Sequence, residues 1–119
     1  MEQLNKPTEP QWRIIRQEEN CLRLTGRVPL DLLYFAGHFD SFPLVPGVVE
    51  LQWVVTQTQK WLQREILPVR IDNLKFQQFL RPEAEVEMLL IWEPEKERIK
   101  FKLTSNNDVY GSGLIVLNK

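Results

Sequence analysis

The 119-residue sequence contains one cysteine and one histidine, and it has no long uninterrupted apolar run. A single cysteine excludes an internal disulfide, and with one histidine it leaves no obvious ligand cluster for a metal ion. The most apolar stretch, GVVELQWVV, is interrupted by Glu50 and Gln52. It is much shorter than the ~20 apolar residues of a membrane span. We therefore expect no metal, no internal disulfide and no membrane-spanning helix.

An excess of charge of one sign is also lacking. The chain has 15 Lys and Arg residues against 16 Asp and Glu residues, a net charge of −1. This balance offers no broad basic surface for a phosphate backbone, so nucleic acid is not an expected partner. The N-terminal stretch MEQLNKPTEP is polar and lacks the charged-then-apolar pattern of a signal peptide. We expect a cytoplasmic protein in which residues 1–10 form a flexible leader.

What the sequence does contain is one helical pattern among several strand patterns. Apolar residues recur at helical spacing from Val48 onward, which predicts a helix from about Pro46 to Leu67 that Pro68 ends. Because this helix is apolar around most of its girth, we expect it to be covered on several sides. Patterns typical of strands occur in QWRIIRQ, CLRLTGRV, VRIDNLKFQQFL, AEVEMLLIWE, RIKFKLT and DVYGSGLIVLN. The order predicts a single α+β domain over residues 1–119, a curved antiparallel sheet wrapped around one long central helix.

The stretch AGHFDSFPLVPGVVELQW joins the single histidine to the start of the predicted helix. Together with the preceding RVPLDLLYF, it resembles the signature of the hot-dog fold 3-hydroxyacyl-acyl-carrier-protein dehydratases, which reads roughly G-H-F-x-G-x-P-x-x-P-G-V. The downstream NLKFQQFLRP is also similar. The tryptophan at position 53 and the short length look most like the subgroup associated with aryl polyene biosynthesis. The residues that match the signature without a gap are Gly37, His38, Phe39, Pro43, Pro46, Gly47 and Val48.

This resemblance implies that water is eliminated from a 3-hydroxyacyl thioester. His38 would be the base that removes the α-proton, a role suited to a side chain with an ordinary pKa of about 6.5. The N–H of Gly47 would bind the thioester oxygen, because a helix N-terminus supplies free N–H groups and glycine permits close approach. The residues that would fix the loop and contact the acyl group are Phe39, Pro43, Pro46 and Val48.

The resemblance also implies the partners. The substrate would be carried on the phosphopantetheine arm of an acyl carrier protein, and the enzyme would need no cofactor of its own. Two subunits would pair through their sheet edges, with each active site between them. We therefore expect a homodimer or a higher homo-oligomer, or a heterodimer with a paralogue, in fatty-acid or polyene-type biosynthesis.

The sequence departs from the family at one position of chemical importance. The family has a Glu or Asp fourteen residues after the histidine that protonates the leaving hydroxyl, and here this position is Gln52. An amide can hydrogen-bond the hydroxyl but has no proton to give at neutral pH. Glu50 lies about 200° around a helix from Gln52, so we expect it to face elsewhere. If the donor is missing, Gln52→Glu or Gln52→Asp should raise the dehydration rate at least about tenfold.

Three functions stay open on these observations. A dehydratase of full or impaired activity is the leading interpretation. The second is a hot-dog thioesterase, in which His38 or Asp40 activates water and Gln52 positions it. Asp40 is otherwise a solvated loop acid, which we favour, or a carboxylate partner of His38. The third is a non-catalytic subunit that binds acyl carrier protein and pairs with an active paralogue.

Overall fold

The protein consists of one antiparallel sheet and one long helix, in a computed structural model that describes residues 6–35 and 44–117. The six strands have the order β1-β2-β4-β5-β6-β3, and every neighbouring pair is antiparallel. The predicted α+β class is confirmed. The elements are β1 (Arg13–Glu18), β2 (Cys21–Arg27), a 3-10 helix (Leu33–Phe35), α1 (Gly47–Leu62), β3 (Pro68–Phe76), β4 (Glu85–Glu93), a second 3-10 helix (Pro94–Lys96), β5 (Arg98–Ser105) and β6 (Asp108–Leu117).

The alternating pattern of the strands decides which face of the sheet is buried. In β5, Ile99, Phe101 and Leu103 are buried, and Lys100 and Lys102 between them are exposed. Successive side chains of a strand point to opposite faces, so one apolar row of β5 faces the core. The strand β4 follows the same alternation, and the two rows pack in the same core cluster as the buried residues of α1.

The helix α1 ends earlier than the sequence predicts. It ends at Leu62 and not at Leu67, because Gln63 adopts a left-handed backbone conformation with a φ of 57°. The N–H groups of Gln63 and Arg64 both donate to the carbonyl of Gln59, which closes the last turn. At 16 residues, α1 is too short to cross a bilayer, and none of the helices in the described ranges could do so.

Buried and half-buried residues occupy most of the circumference of α1, and one face of the helix is exposed. Val48 is 62% exposed, and Gln52, four residues further along the same face, is exposed as well. The stripe from Val49 to Thr58 faces the core, and the face that carries Val48 and Gln52 is open among the described residues. The buried residues of the helix are Val49, Glu50, Trp53, Val54, Gln57 and Thr58.

Two residues of the leader that the sequence predicts over residues 1–10, Thr8 and Glu9, contact α1. The indole N–H of Trp53 donates to the carbonyl of Thr8 at 2.9 Å, and the amide of Gln57 donates to Oε1 of Glu9 at 3.2 Å. Trp53 and Gln57 lie on the buried face of α1, so this segment covers part of the helix. Residues 1–5 lie outside the described part of the chain.

Candidate active site

A cavity of about 440 Å³ lies where α1 begins. One wall comes from the residues around the first turn of the helix, and the other from the end of β3 and the loop after it. The helix starts at Gly47, directly after Pro46 in an extended conformation. Because the first N–H groups of a helix have no intrahelical acceptor, this end of the cavity is positively polarised. The described lining residues are Leu44, Val45, Pro46, Gly47, Glu50, Phe76, Gln77, Gln78 and Phe79.

Two of the residues singled out in the sequence, Pro46 and Gly47, meet at this cavity. His38, Phe39 and Pro43 lie outside the described residues, so their roles stay predictions. Nowhere in residues 6–35 and 44–117 do three His, Cys, Asp or Glu side chains form a group that could hold a metal ion.

Val48 and Gln52 lie on the open face of α1. The Oε1 atom of Gln52 accepts a hydrogen bond from the hydroxyl of Tyr34 at 3.4 Å. Neither Val48 nor Gln52 is among the described residues that line the cavity. The acyl contact predicted for Val48 and the hydroxyl contact predicted for Gln52 therefore require a site on the open face of the helix.

Glu50 is the acidic residue on the described wall of the cavity. It is 2% exposed, and its Oε1 atom has no hydrogen-bond partner among the described residues. Burial disfavours the charged carboxylate and raises the pKa of Glu50 from 4.5 to about 8. The carboxyl group is therefore neutral at pH 7 and holds a proton that it can donate.

The burial of Glu50 is indicated by helical spacing in the sequence. Glu50 lies three and four residues before Trp53 and Val54, which are both buried. Residues at these spacings share one face of a helix. The angle between Glu50 and Gln52 does put them on different faces, and it is the face of Glu50 that borders the cavity.

The ring of Phe76 packs against two glycines at the wall of the cavity. A Cβ atom at Gly47 would lie 2.7 Å from Cε2 of Phe76. A Cβ atom at Gly111 in β6 would lie 3.1 Å from Cδ1 of Phe76 and 3.1 Å from Oε1 of Glu50. The ring therefore contacts both the start of α1 and β6, beside the Glu50 carboxyl group.

Comparison with known proteins places the chain in a family. Residues 14–114 match the ApeI-like family, described as ApeI dehydratase. The chain belongs to this family. The match covers most of the sequence, from β1 to β6, and it includes both walls of the cavity. The predicted membership of the hot-dog dehydratases, in the aryl polyene subgroup, is confirmed.

Individual relatives of this ApeI-like protein agree with the assignment. The 3-hydroxyacyl-[acyl-carrier-protein] dehydratase FabZ of Pseudothermotoga lettingae is 27% identical over 90 residues, which cover 71% of this chain and 64% of that protein. A chain of the dehydratase heterocomplex ApeI:P from Xenorhabdus doucetiae superimposes with a TM-score of 0.85 at 24% identity, covering 93% of this chain and 99% of that one. An uncharacterized protein from Erwinia carotovora subsp. atroseptica superimposes with a TM-score of 0.74 at 30% identity, covering 94% of this chain and 95% of that one. The hot-dog fold is thus confirmed.

Proposed function

We propose that this ApeI-like chain eliminates water from 3-hydroxyacyl thioesters to give 2-enoyl thioesters. The match of residues 14–114 to a dehydratase family carries the proposal, and the cavity at the start of α1 offers a site for the reaction. His38 removes the α-proton, and the N–H of Gly47 binds the thioester oxygen as negative charge develops on it. The residues that contact the acyl group or shape the loop are Phe39, Pro43, Pro46 and Val48.

The substrate in this proposal is attached to the phosphopantetheine arm of an acyl carrier protein. The name of the Pseudothermotoga lettingae relative, a dehydratase of carrier-bound substrates, supports this choice. Elimination of water is neutral in redox terms, so the reaction consumes no oxidant or reductant and needs no redox cofactor. We place the reaction in the cytoplasm, in fatty-acid or polyene-type biosynthesis. The free thiol of Cys21 is compatible with a reducing compartment.

We further propose that two subunits pair through the edge of β3. Among the described strands, β3 pairs with β6 alone and has one free edge. Val69, Leu74 and Phe76 of β3 are apolar and exposed, and exposed apolar edges favour pairing with another chain. Phe76 also lines the cavity, so a second subunit at this edge would lie next to the site. The ApeI:P structure is a heterocomplex, which makes a paralogue a second candidate for the partner.

A non-catalytic, carrier-binding subunit is the second candidate function. Two observations favour it: an amide occupies position 52, where the resemblance to the dehydratases implies an acid, and the superimposed ApeI:P structure is a heterocomplex. In this case the chain would bind the thioester, and an active paralogue would complete the chemistry.

One experiment tests these candidates together. The purified protein is incubated with a 3-hydroxyacyl pantetheine thioester, and enoyl thioester and free thiol are both quantified. We expect enoyl thioester to form without free thiol. Release of free thiol would instead indicate a thioesterase. Saturable binding with turnover only after a paralogue is added would indicate the non-catalytic subunit.

A further inference from the structure

We propose that the buried carboxyl group of Glu50, on the cavity wall beside Gly47, gives its proton to the departing hydroxyl group of the substrate. The inference rests on the proposed dehydratase function. It assigns the acid of the reaction to a residue two positions before Gln52, on the other face of the helix.

The spacing of Gly47 and Glu50 along α1 suits the thioester oxygen and the β-hydroxyl of the substrate, respectively. Residues three apart on a helix are neighbours, with about 5–6 Å between their side-chain origins. Both residues line the same cavity. A thioester whose oxygen binds at the N–H of Gly47 carries its β-hydroxyl only a few bonds further along the chain. The Glu50 carboxyl group is therefore within reach of that hydroxyl.

The surroundings of Glu50 keep its proton available. Its Oε1 atom is buried and lacks a hydrogen-bond partner among the described residues, so an incoming hydroxyl would satisfy it. No other described lining residue of the cavity is ionisable, and the other polar side chains there are the amides of Gln77 and Gln78. From β6, the group that faces Glu50 is the backbone of Gly111. Burial raises the pKa of Glu50 to about 8, which suits an acid better than a base at neutral pH.

The step balances without a further reactant. His38 takes the proton from the α-carbon, and the electron pair of that C–H bond forms the new carbon–carbon double bond. The bond between the β-carbon and oxygen breaks, and the hydroxyl leaves as water with the proton of Glu50. The enzyme then has one proton more on His38 and one fewer on Glu50. Exchange with solvent restores both groups.

Gln52 is less suited to this step. It is exposed on the opposite face, where Tyr34 donates a hydrogen bond to it. If Glu50 is the donor, the site lacks no acid, and Gln52→Glu should not raise the dehydration rate. If Glu50 is not the donor, the same substitution should raise the rate at least about tenfold.

Two reactions of the full chain separate the roles of base and acid. The first is dehydration of a 3-hydroxyacyl pantetheine thioester. The second is exchange of the α-protons of a saturated acyl pantetheine thioester in heavy water, which needs the base and the oxygen-binding N–H but no acid. We expect Glu50→Gln to lower the dehydration rate at least about 100-fold and to leave the exchange rate within a few-fold. The control Glu65→Gln makes the same chemical change at an exposed position and should alter neither rate.

Each other result overturns a defined part of this proposal. Dehydration by the Glu50→Gln variant at the wild-type rate would remove Glu50 as the donor, and so would equal loss of both reactions. A tenfold gain in the Gln52→Glu variant would also count against Glu50. A wild-type protein that exchanges α-protons but does not dehydrate would refute the role of Glu50 alone. A wild-type protein that does neither would refute the proposed function itself.

Discussion

Replacement of Glu50 by glutamine should make the stability of the protein less dependent on pH between 5 and 9. Burial raises the pKa of Glu50 from 4.5 to about 8 in the folded chain. Below pH 4.5 the carboxyl group is protonated in both the folded and the unfolded chain, and its stabilising contribution is complete. Between pH 4.5 and about pH 8 it is protonated only in the folded chain, so the free energy of unfolding falls as the pH rises. Above about pH 8 the contribution is lost.

The size of this effect follows from the interval between the two pKa values. Each pH unit is worth about 1.4 kcal/mol, so the interval from 4.5 to about 8 corresponds to at most about 5 kcal/mol. This is a large share of the ~5–15 kcal/mol by which a domain is normally stable. Glutamine has nearly the same shape as a neutral glutamic acid and does not titrate. The free energy of unfolding of the Glu50→Gln variant should therefore not fall through this group as the pH rises.

Urea unfolding at pH 5, 7 and 9 measures the difference, with fluorescence of the four tryptophans as the signal. All samples need one protein concentration, because the apparent stability of an oligomer depends on it. We expect the free energy of unfolding to fall by several kcal/mol more in wild type than in the Glu50→Gln variant. The Glu65→Gln control should behave as wild type. Parallel curves for wild type and Glu50→Gln would refute the raised pKa.

Three further predictions concern the rate of dehydration of a 3-hydroxyacyl thioester. His38→Ala should lower kcat by about 10²–10⁴, and an unchanged kcat would remove His38 from the mechanism. In wild type, kcat/KM should fall above pH 8 as Glu50 ionises, and a rate that stays constant to pH 10 would contradict this. Gly47→Ala puts a Cβ atom 2.7 Å from the Phe76 ring and should lower kcat/KM on the order of 10²-fold. If the Gly47→Ala variant keeps the wild-type kcat/KM, the position of the Phe76 ring does not matter for the reaction.

The fold could be predicted from the sequence because period-two and helical patterns are local. The alternation in RIKFKLT, for example, is the same alternation that buries Ile99 and exposes Lys100. The end of α1 could not be predicted in this way. Gln63 takes a left-handed conformation that favours glycine or asparagine, and no residue type signals it here. The packing of Thr8 against Trp53 joins residues far apart in sequence, which no local pattern reports.

The candidate site could be predicted in part. The Pro-Gly helix start was visible in the motif, and Pro46 and Gly47 do border a cavity. The burial of Glu50 is harder to predict, because a charged residue is rarely found inside a core. The angle of about 200° between Glu50 and Gln52 predicts that they lie on different faces of the helix, but it does not say which of these faces borders a cavity. A buried acid without a partner costs stability, and such residues are concentrated at functional sites.

The protonation state of Glu50 at neutral pH is the property on which the proposed mechanism depends most. Infrared spectra of wild type minus the Glu50→Gln variant, recorded across a pH titration, report it directly through the carbonyl stretch of a protonated carboxyl group. We predict that this band is present at pH 7 and disappears with a midpoint near pH 8. A difference spectrum without the band at pH 7 would show that Glu50 is already ionised, and it would contradict a proton donor at this position.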